Sequence, residues 1–178
     1  MSTDLSDKSL PYRIAVLCYL RDAEGRLLML HRCKPPNQGM YSPIGGKLEP
    51  TTGESPHGCA IRETKEETGL VVKEGEMRLM GMVSETAYEG ECHWLLFLFE
   101  VTRVVGHDEI VAYEMDEGTL EWLDRDHIQS LDLPKTDREI IWPLVSEYAG
   151  GFFACHIDCR TEPMTSTVFE SWKSNETN

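Results

Sequence analysis

The chain has 178 residues, the length of one ordinary domain. Its 17 Lys and Arg residues against 31 Asp and Glu residues give a formal net charge of −14. A negative field of this size repels polyanions, so the composition argues against proteins that bind nucleic-acid polymers or anionic membranes. It does not exclude a small phosphorylated ligand, because a divalent cation can bridge carboxylates to phosphate oxygens.

The N-terminal segment and the cysteines predict a cytoplasmic protein with no membrane partner. Residues 1–10 are polar and lack the basic start and apolar core of a signal peptide. The most apolar stretch, at 94–99, is far shorter than the ~20 residues that span a membrane. The six cysteines have no paired spacing, so we expect them to be reduced thiols.

Strand-like runs, rich in β-branched and aromatic residues, make up much of the chain. They occur at 13–20, 27–31, 76–88, 92–102, 119–123 and 152–157. The first two flank turn residues at 22–25, which predicts a hairpin between them. A further short strand is predicted to reach Ile44, where two glycines allow the backbone to bend or another group to approach it closely.

Two helices are predicted among these strands. The Ser-Pro pair at 55–56 supplies an N-cap and a first helical residue, and Gly69 fits the position after the last turn, so a helix is predicted over 56–68. A second helix is predicted over 136–149 from the spacing of its apolar residues, despite Pro143. The elements together predict an α+β domain with mainly antiparallel strands.

Three carboxylates share one face of the first helix. At 100° per residue, Glu63, Glu66 and Glu67 fall within an arc of about 100°. Like charges at this spacing repel each other, and a bound Mg²⁺ or Mn²⁺ would turn that repulsion into affinity, because hard cations take carboxylate oxygens as ligands. For an arbitrary run of acidic residues, a solvated helix face is the alternative interpretation.

The segment 45–70 closely resembles the Nudix box, the signature of the Nudix hydrolases. The matching positions are Gly46, Glu54, Arg62, Glu63, Glu66, Glu67, Gly69 and the apolar Leu70. The segment departs from the Nudix box in two places, the loop and one helix position. Seven residues rather than five separate the first glycine from the first glutamate, with Thr51 and Thr52 as the apparent insertion, and Thr64 replaces the usual aliphatic residue. Loop insertions cost little energy, and the helical register of the box is intact.

The resemblance implies the Nudix fold, an α/β/α sandwich with a mixed β-sheet. We expect this domain over residues 12–158, after an N-terminal extension at 1–11. Residues 159–178 form a polar C-terminal tail, of which we expect at least the end to be disordered. The resemblance leaves open whether the protein is a monomer or a homodimer.

The resemblance also implies site residues. In that family the box glutamates, here Glu63, Glu66 and Glu67, hold Mg²⁺ or Mn²⁺ together with a backbone carbonyl, here that of Gly45. Glu117, in an acidic loop before a strand, best fits the additional acidic ligand or base of the family. Glu63 and Glu117 are both candidates for the general base. Structural support is expected from the Gly46, Gly69, Glu54 and Arg62 positions, the last two forming an ion pair.

The implied reaction is hydrolysis of a nucleoside diphosphate linked to a further group, and a small nucleotide is the expected partner. The C-terminal half resembles the hydrolases of oxidised purine nucleoside triphosphates, so a nucleoside triphosphate, oxidised or not, is the first candidate substrate. Candidate substrate contacts are Arg32 and Lys47 for phosphate and Tyr41, Ser42 and Asp137 for the base. Alternative substrates are ADP-ribose and dinucleoside polyphosphates. A non-catalytic nucleotide-binding module is a further alternative, whereas a Nudix-type isomerase would need a catalytic cysteine that Cys92 does not persuasively supply.

Overall fold

Strands dominate the fold, with two α-helices packed against them. The computed structural model describes residues 9–35 and 37–174. Within them the strands are β1 (Tyr12–Tyr19), β2 (Leu27–Arg32), β3 (Tyr41–Pro43), β4 (Met77–Tyr88), β5 (Cys92–Val101), β6 (Glu114–Met115), β7 (Gly118–Leu123), β8 (Phe152–Asp158) and β9 (Thr165–Trp172). The helices are α1 (Pro56–Thr68) and α2 (Trp142–Glu147). None of the described helices has the length and apolar character needed to cross a bilayer.

The strands form two sheets. A five-stranded mixed sheet has the order β1-β5-β4-β8-β9, in which β1 runs parallel to β5 and β4 parallel to β8. A four-stranded antiparallel sheet has the order β3-β2-β7-β6. The expected α+β class with a mixed sheet is confirmed.

The hairpin predicted between β1 and β2 is confirmed only at its turn, because the two strands belong to different sheets. The Leu28 N–H donates to the Leu20 carbonyl at 3.0 Å and Arg21 pairs with Leu27, whereas the rest of β2 pairs with β3 and β7. The free edge of β1 instead receives the segment after β3: the Cys18 N–H donates to the Ile44 carbonyl at 2.7 Å and the Val16 N–H to the Gly46 carbonyl at 2.9 Å. The glycine pair therefore lies directly beside β1.

Two apolar cores lie on opposite faces of the mixed sheet. Val16 and Cys18 of β1 pack toward one core, which also holds Cys59 and Ala60 of α1. Ala15 and Tyr19, the alternate residues, face the other core, which holds α2. Because successive strand residues point to opposite faces, one strand contributes to both cores and the helices cover the sheet from both sides. This arrangement is the expected α/β/α sandwich.

The ends of α1 follow from local sequence signals, as predicted. The Ser55 hydroxyl accepts a hydrogen bond from the Gly58 N–H at 3.0 Å, and Pro56 takes the first helical position, where its missing N–H has no cost. At the other end, Gly69 adopts a left-handed conformation with φ of 76°, and its N–H donates to the Lys65 carbonyl at 2.8 Å.

The late helical region differs from the regular helix predicted over 136–149. Residues Asp137–Ile141 form a π-helical turn, with the Trp142 N–H bonded to the Asp137 carbonyl, and α2 follows. The Arg138 N–H still donates to the Pro134 carbonyl at 2.9 Å, so α-helical bonding begins before this turn, and Pro143, which has no N–H to donate, follows it.

The C-terminal region contains a strand that the composition did not predict. Within the expected polar tail, β9 pairs antiparallel with β8 and extends the mixed sheet, and Trp172 stacks on Phe152 with ring centroids 4.5 Å apart. All eight residues of β9 are exposed. The strand therefore has no buried face, and its sequence lacks the alternation of apolar and polar residues by which strands are predicted. The two ends of the chain, at 1–8 and 175–178, lie outside the described residues.

Replacing Gly69 with Ala tests the end of α1. An added Cβ would lie 2.3 Å from Val111 Cγ2, and the left-handed backbone is strained for alanine. We expect a loss of more than about 1–2 kcal/mol in the free energy of unfolding, measured by urea denaturation. Gly25→Ala is the matched control, because Gly25 has φ of 80° but no atom within 4 Å of the added Cβ. Equal losses in the two variants would contradict a role for the packing against Val111.

Candidate metal and nucleotide site

The glycine pair before α1 brings the backbone against both β1 and the helix. Gly45 has φ of 149°, and a Cβ there would lie 2.1 Å from the Val16 carbonyl oxygen. A Cβ on Gly46 would lie 2.5 Å from the Glu63 carboxylate. The Gly45 N–H donates to Glu67 Oε2 at 3.0 Å. A side chain at the first glycine is thus excluded by the backbone of β1, and one at the second would displace the Glu63 carboxylate, so two carboxylates of α1 lie against this backbone.

Arg62 connects the preceding loop to the acidic face of α1. Its guanidinium donates to both carboxylate oxygens of Glu54 at 2.8 and 2.9 Å, a bidentate pair. The same group donates to Glu63 at 2.7 Å and to Glu66 at 2.9 Å. It also donates to the Lys47 carbonyl at 3.2 Å. One cation therefore fixes three carboxylates and the backbone next to the glycine pair.

The two additional threonines of the loop form a small turn closed on itself. The Thr51 N–H and hydroxyl donate to the Glu49 carboxylate at 3.1 and 2.6 Å, and the Thr52 hydroxyl donates to the Glu49 carbonyl at 3.2 Å. Across the base of the turn, the Glu54 N–H donates to the Glu49 carbonyl and the Glu49 N–H to Glu54 Oε2. The insertion thus leaves Glu54 in contact with Arg62.

The carboxyl groups of this cluster have shifted pKa values of opposite sign. Burial raises the pKa of Glu67 to about 8, against the opposing effect of the Gly45 N–H, and burial also raises the pKa of Glu63. Hydrogen bonding from Arg62 lowers the pKa of Glu54 to about 2. Glu54 is therefore neutralised by Arg62, whereas the Glu63–Glu67 pair lacks sufficient positive charge. Oxygen ligands short of positive charge fit a hard divalent cation.

A pocket of about 790 Å³ opens beside the cluster. At one end it is lined by Gly45, Gly46, Lys47, Glu63 and Glu67. Arg32, Ser42, Asp116 and Glu117 also line it. Beyond β1, the other end is lined by Glu85, Tyr88, Trp94, Leu96, Pro134, Thr136 and Asp137. The pocket thus joins the acidic face of α1 to a region that is largely aromatic and apolar, with carboxyl groups among its side chains.

The structure places most of the predicted contacts in this pocket. Arg32 pairs with Glu117 at 3.5 Å, and the Lys47 ammonium lies 6.0 Å from the centroid of the Trp94 ring. Asp137 also lines the pocket, and burial raises its pKa to about 7.

Two predicted residues lie elsewhere. The Tyr41 ring stacks on His31 with centroids 4.4 Å apart, and its hydroxyl donates to Glu121, so it does not line the pocket. Glu66 is also absent from the pocket lining, and its carboxylate is bonded to Arg62.

The sequence prediction missed Glu85, Trp94 and Thr136. Glu85 follows the buried Val83 by two residues in β4, so strand alternation places its carboxyl on a buried face. A charged residue at an inward position of a strand is the signal that identifies it.

A second group of potential metal ligands lies beyond the end of β1. Carboxylate oxygens of Asp22 and Glu24 and a ring nitrogen of His107 lie within 4.8 Å of one another. Arg26 already donates to Asp22 Oδ2 at 2.7 Å and to Glu24 at 3.2 Å. Because an arginine supplies the positive charge here, this group differs from the Glu63–Glu67 pair.

The raised pKa of Glu67 predicts a pH-dependent stability in EDTA. The folded protein keeps this proton up to about pH 8, whereas the unfolded chain releases it near the ordinary glutamate value of ~4.3. The native state binds more protons than the unfolded state in this window. The contribution of Glu67 to the free energy of unfolding therefore falls as pH rises. Glu67→Gln should stabilise the metal-free protein at pH 8 by on the order of 1–3 kcal/mol and have little effect at pH 4.

Urea denaturation at both pH values measures this difference. Glu91, an exposed carboxylate in the turn before β5, supplies the matched control: Glu91→Gln should change stability equally little at pH 4 and pH 8. A Glu67→Gln variant that is less stable than the wild type at pH 8 would contradict the burial of an unneutralised carboxyl.

Comparison with known proteins agrees with the fold and the box. The family model for the NUDIX domain matches residues 11–144. The Nudix hydrolase YvcI of Bacillus subtilis (strain 168) is 29% identical over 127 residues, which cover 70% of this chain and 73% of YvcI.

Two solved MutT structures resemble the whole domain. A MutT protein from Bacillus halodurans has a TM-score of 0.68 at 26% identity, over 88% of this chain and 97% of its own. A MutT protein from Methanosarcina mazei Go1 has a TM-score of 0.62 at 26% identity, over 80% of this chain and 99% of its own. With the NUDIX-domain match covering well over half of its length, the chain belongs to the Nudix family of hydrolases.

Proposed function

We propose that the protein hydrolyses a nucleoside diphosphate linked to a further group, with Mg²⁺ or Mn²⁺, and that nucleoside triphosphates are its principal substrates. The observation that carries this proposal is the position of Glu63 and Glu67, which line one pocket together with the glycine pair and lack sufficient positive charge. The opposite end of the pocket is large and apolar enough for a nucleoside.

The proposed metal ligands are Glu63, Glu66, Glu67 and the Gly45 carbonyl. When bound, the divalent cation polarises the diphosphate and lowers the pKa of a coordinated water. Arg62 holds Glu63 and Glu66 in place through hydrogen bonds of 2.7 and 2.9 Å. Such bracing limits the reorganisation that metal binding requires.

The proposed general base is a carboxylate at the pocket, either Glu63 or Glu117. Glu63 is the more buried of the two, and burial raises its pKa, which makes it a stronger base than an exposed glutamate. Glu117 lines the same pocket but is about half exposed and pairs with Arg32, which competes for its carboxylate. Arg32 and Lys47 are the proposed phosphate contacts, because both line the pocket near the glycine pair.

ADP-ribose and dinucleoside polyphosphates are the second candidate substrates. The Nudix domain of NrtR from Shewanella oneidensis has been solved with ADP-ribose, and it shares the fold at a TM-score of 0.60 with 13% identity. At that identity the likeness concerns the fold, so these compounds belong in the substrate panel. A protein that binds nucleotides without turnover is the non-catalytic alternative.

A substrate panel tests the proposal directly. The purified protein should release phosphate or pyrophosphate in the presence of Mg²⁺ from at least one of GTP, ATP, 8-oxo-dGTP, ADP-ribose and diadenosine tetraphosphate. Glu63→Gln and Glu67→Gln should each lower kcat at least ~100-fold, because each removes a charged ligand or base. Product identification by mass spectrometry shows which anhydride bond is cleaved.

Glu91→Gln is the control in these assays and should retain wild-type activity, because the residue is exposed and does not line the pocket. An absence of turnover of every compound, with Glu66→Gln indistinguishable from wild type, refutes hydrolysis. Tight binding under those conditions would support the non-catalytic module instead.

A further inference from the structure

An unusual carboxyl group lies at the end of the pocket away from α1. Glu85 is on β4, the central strand of the mixed sheet, and only 3% of it is exposed. Its Oε1 atom is buried and has no hydrogen-bond partner within residues 9–35 and 37–174. A buried oxygen without a partner costs on the order of 1–3 kcal/mol, more if charged, so this arrangement opposes stability.

Glu85 has no cationic partner among the described residues, since no Lys, Arg or His there forms an ion pair with it. The Thr136 hydroxyl hydrogen-bonds to the carboxyl group, and Asp137 is close enough to act on it electrostatically. Burial, opposed by Thr136 and reinforced by Asp137, raises the pKa of Glu85 to about 7. Two acidic groups, Glu85 and Asp137, thus line this pocket, and the burial of Glu85 without a positive partner opposes stability.

The surroundings of Glu85 favour a flat ligand. Trp94 of β5 is its direct cross-strand partner, and both line the pocket together with Leu96 and Tyr88. Aromatic and aliphatic walls accept a planar heteroaromatic ring, and a carboxylate between them needs N–H donors. The chemistry of this end therefore fits a ring that carries adjacent N–H donors on one edge.

Among nucleobases, guanine has such an edge. Its N1–H and 2-amino group are neighbouring donors and match the two oxygens of one carboxylate. Adenine places an acceptor beside its amino group, and hypoxanthine has the N1–H but lacks the 2-amino group. With phosphates beside Glu63 and Glu67, a base could occupy the other end of the same pocket, a step that rests on the proposed function.

We propose that Glu85 is a specificity-determining residue that accepts hydrogen bonds from the N1–H and 2-amino groups of a guanine base, with Trp94 providing a face of the base site. Asp137 also lines the pocket and adds a second acidic group to it. Guanine nucleotides are accordingly preferred over those of hypoxanthine and adenine.

Calorimetric titration with GMP, IMP and AMP in EDTA tests the base site without turnover. The wild type should bind GMP at least about tenfold more tightly than IMP, because IMP leaves one hydrogen bond to a charged group unmade. Glu85→Gln should reduce this ratio to about one and leave AMP affinity nearly unchanged. Glu91→Gln should preserve the wild-type ratio, since the residue is exposed and outside the pocket.

The same comparison is made for kcat/KM with GTP and ITP in Mg²⁺. Equal affinity of the wild type for GMP and IMP, no measurable binding of GMP, or an unchanged ratio in a folded Glu85→Gln variant overturns the assignment. Circular dichroism verifies folding, and the wild-type ratio decides alone if the variant fails to fold.

Discrimination in binding without turnover of any nucleotide would refute the proposed function but not the base site. Turnover without discrimination between guanine and hypoxanthine nucleotides would refute the base site but not the proposed function.

Discussion

The Arg62 guanidinium is the interaction on which the arrangement of the site depends. It lies between a loop and a helix that both carry carboxylates, and it bonds to Glu54, Glu63 and Glu66 at the same time. Without a cation at this point, the acidic face of α1 and the loop before it would repel each other. The geometry needs a planar group with several fixed donors, which arginine provides and lysine does not.

Arg62 does not neutralise all of the carboxylates at the site, and the carboxylates that remain without a positive partner determine the chemistry of the site. Glu54 is fully engaged and ionised, whereas Glu67 receives only a backbone N–H and has a raised pKa. The net charge of −14 therefore has a local counterpart, an excess of carboxylates in the pocket. We propose that a divalent cation meets that demand at one end, and we attribute the excess at the other end to recognition of ligand N–H groups.

The parts of the fold that depend on neighbouring residues were predictable from the sequence. The boundaries of α1 follow from a serine, a proline and a glycine that act within one helical turn, and they agree with the structure. The spacing of the box likewise identified Glu63 and Glu67, since helical geometry alone places them on one face. Which strand edges are occupied is decided by distant segments, so the partition of β1 and β2 into two sheets was not visible locally. The alternation with Val83 marks Glu85 as an inward charged residue, but its place beside Trp94 and in one pocket with Thr136 depends on distant segments and was not visible locally.

The turn that contains Thr51 and Thr52 is a position at which the protein can vary in sequence or be labelled. Backbone and side-chain bonds between Glu49 and Glu54 close the turn at its base, before the contact to Arg62 is made. Residues 51–53, above that closure, do not line the pocket, and Glu54 alone of the turn contacts Arg62 among the described residues. A short peptide tag or a fluorophore-bearing residue placed at 51–53 would report on the loop from outside, while the acidic face of α1 keeps its geometry.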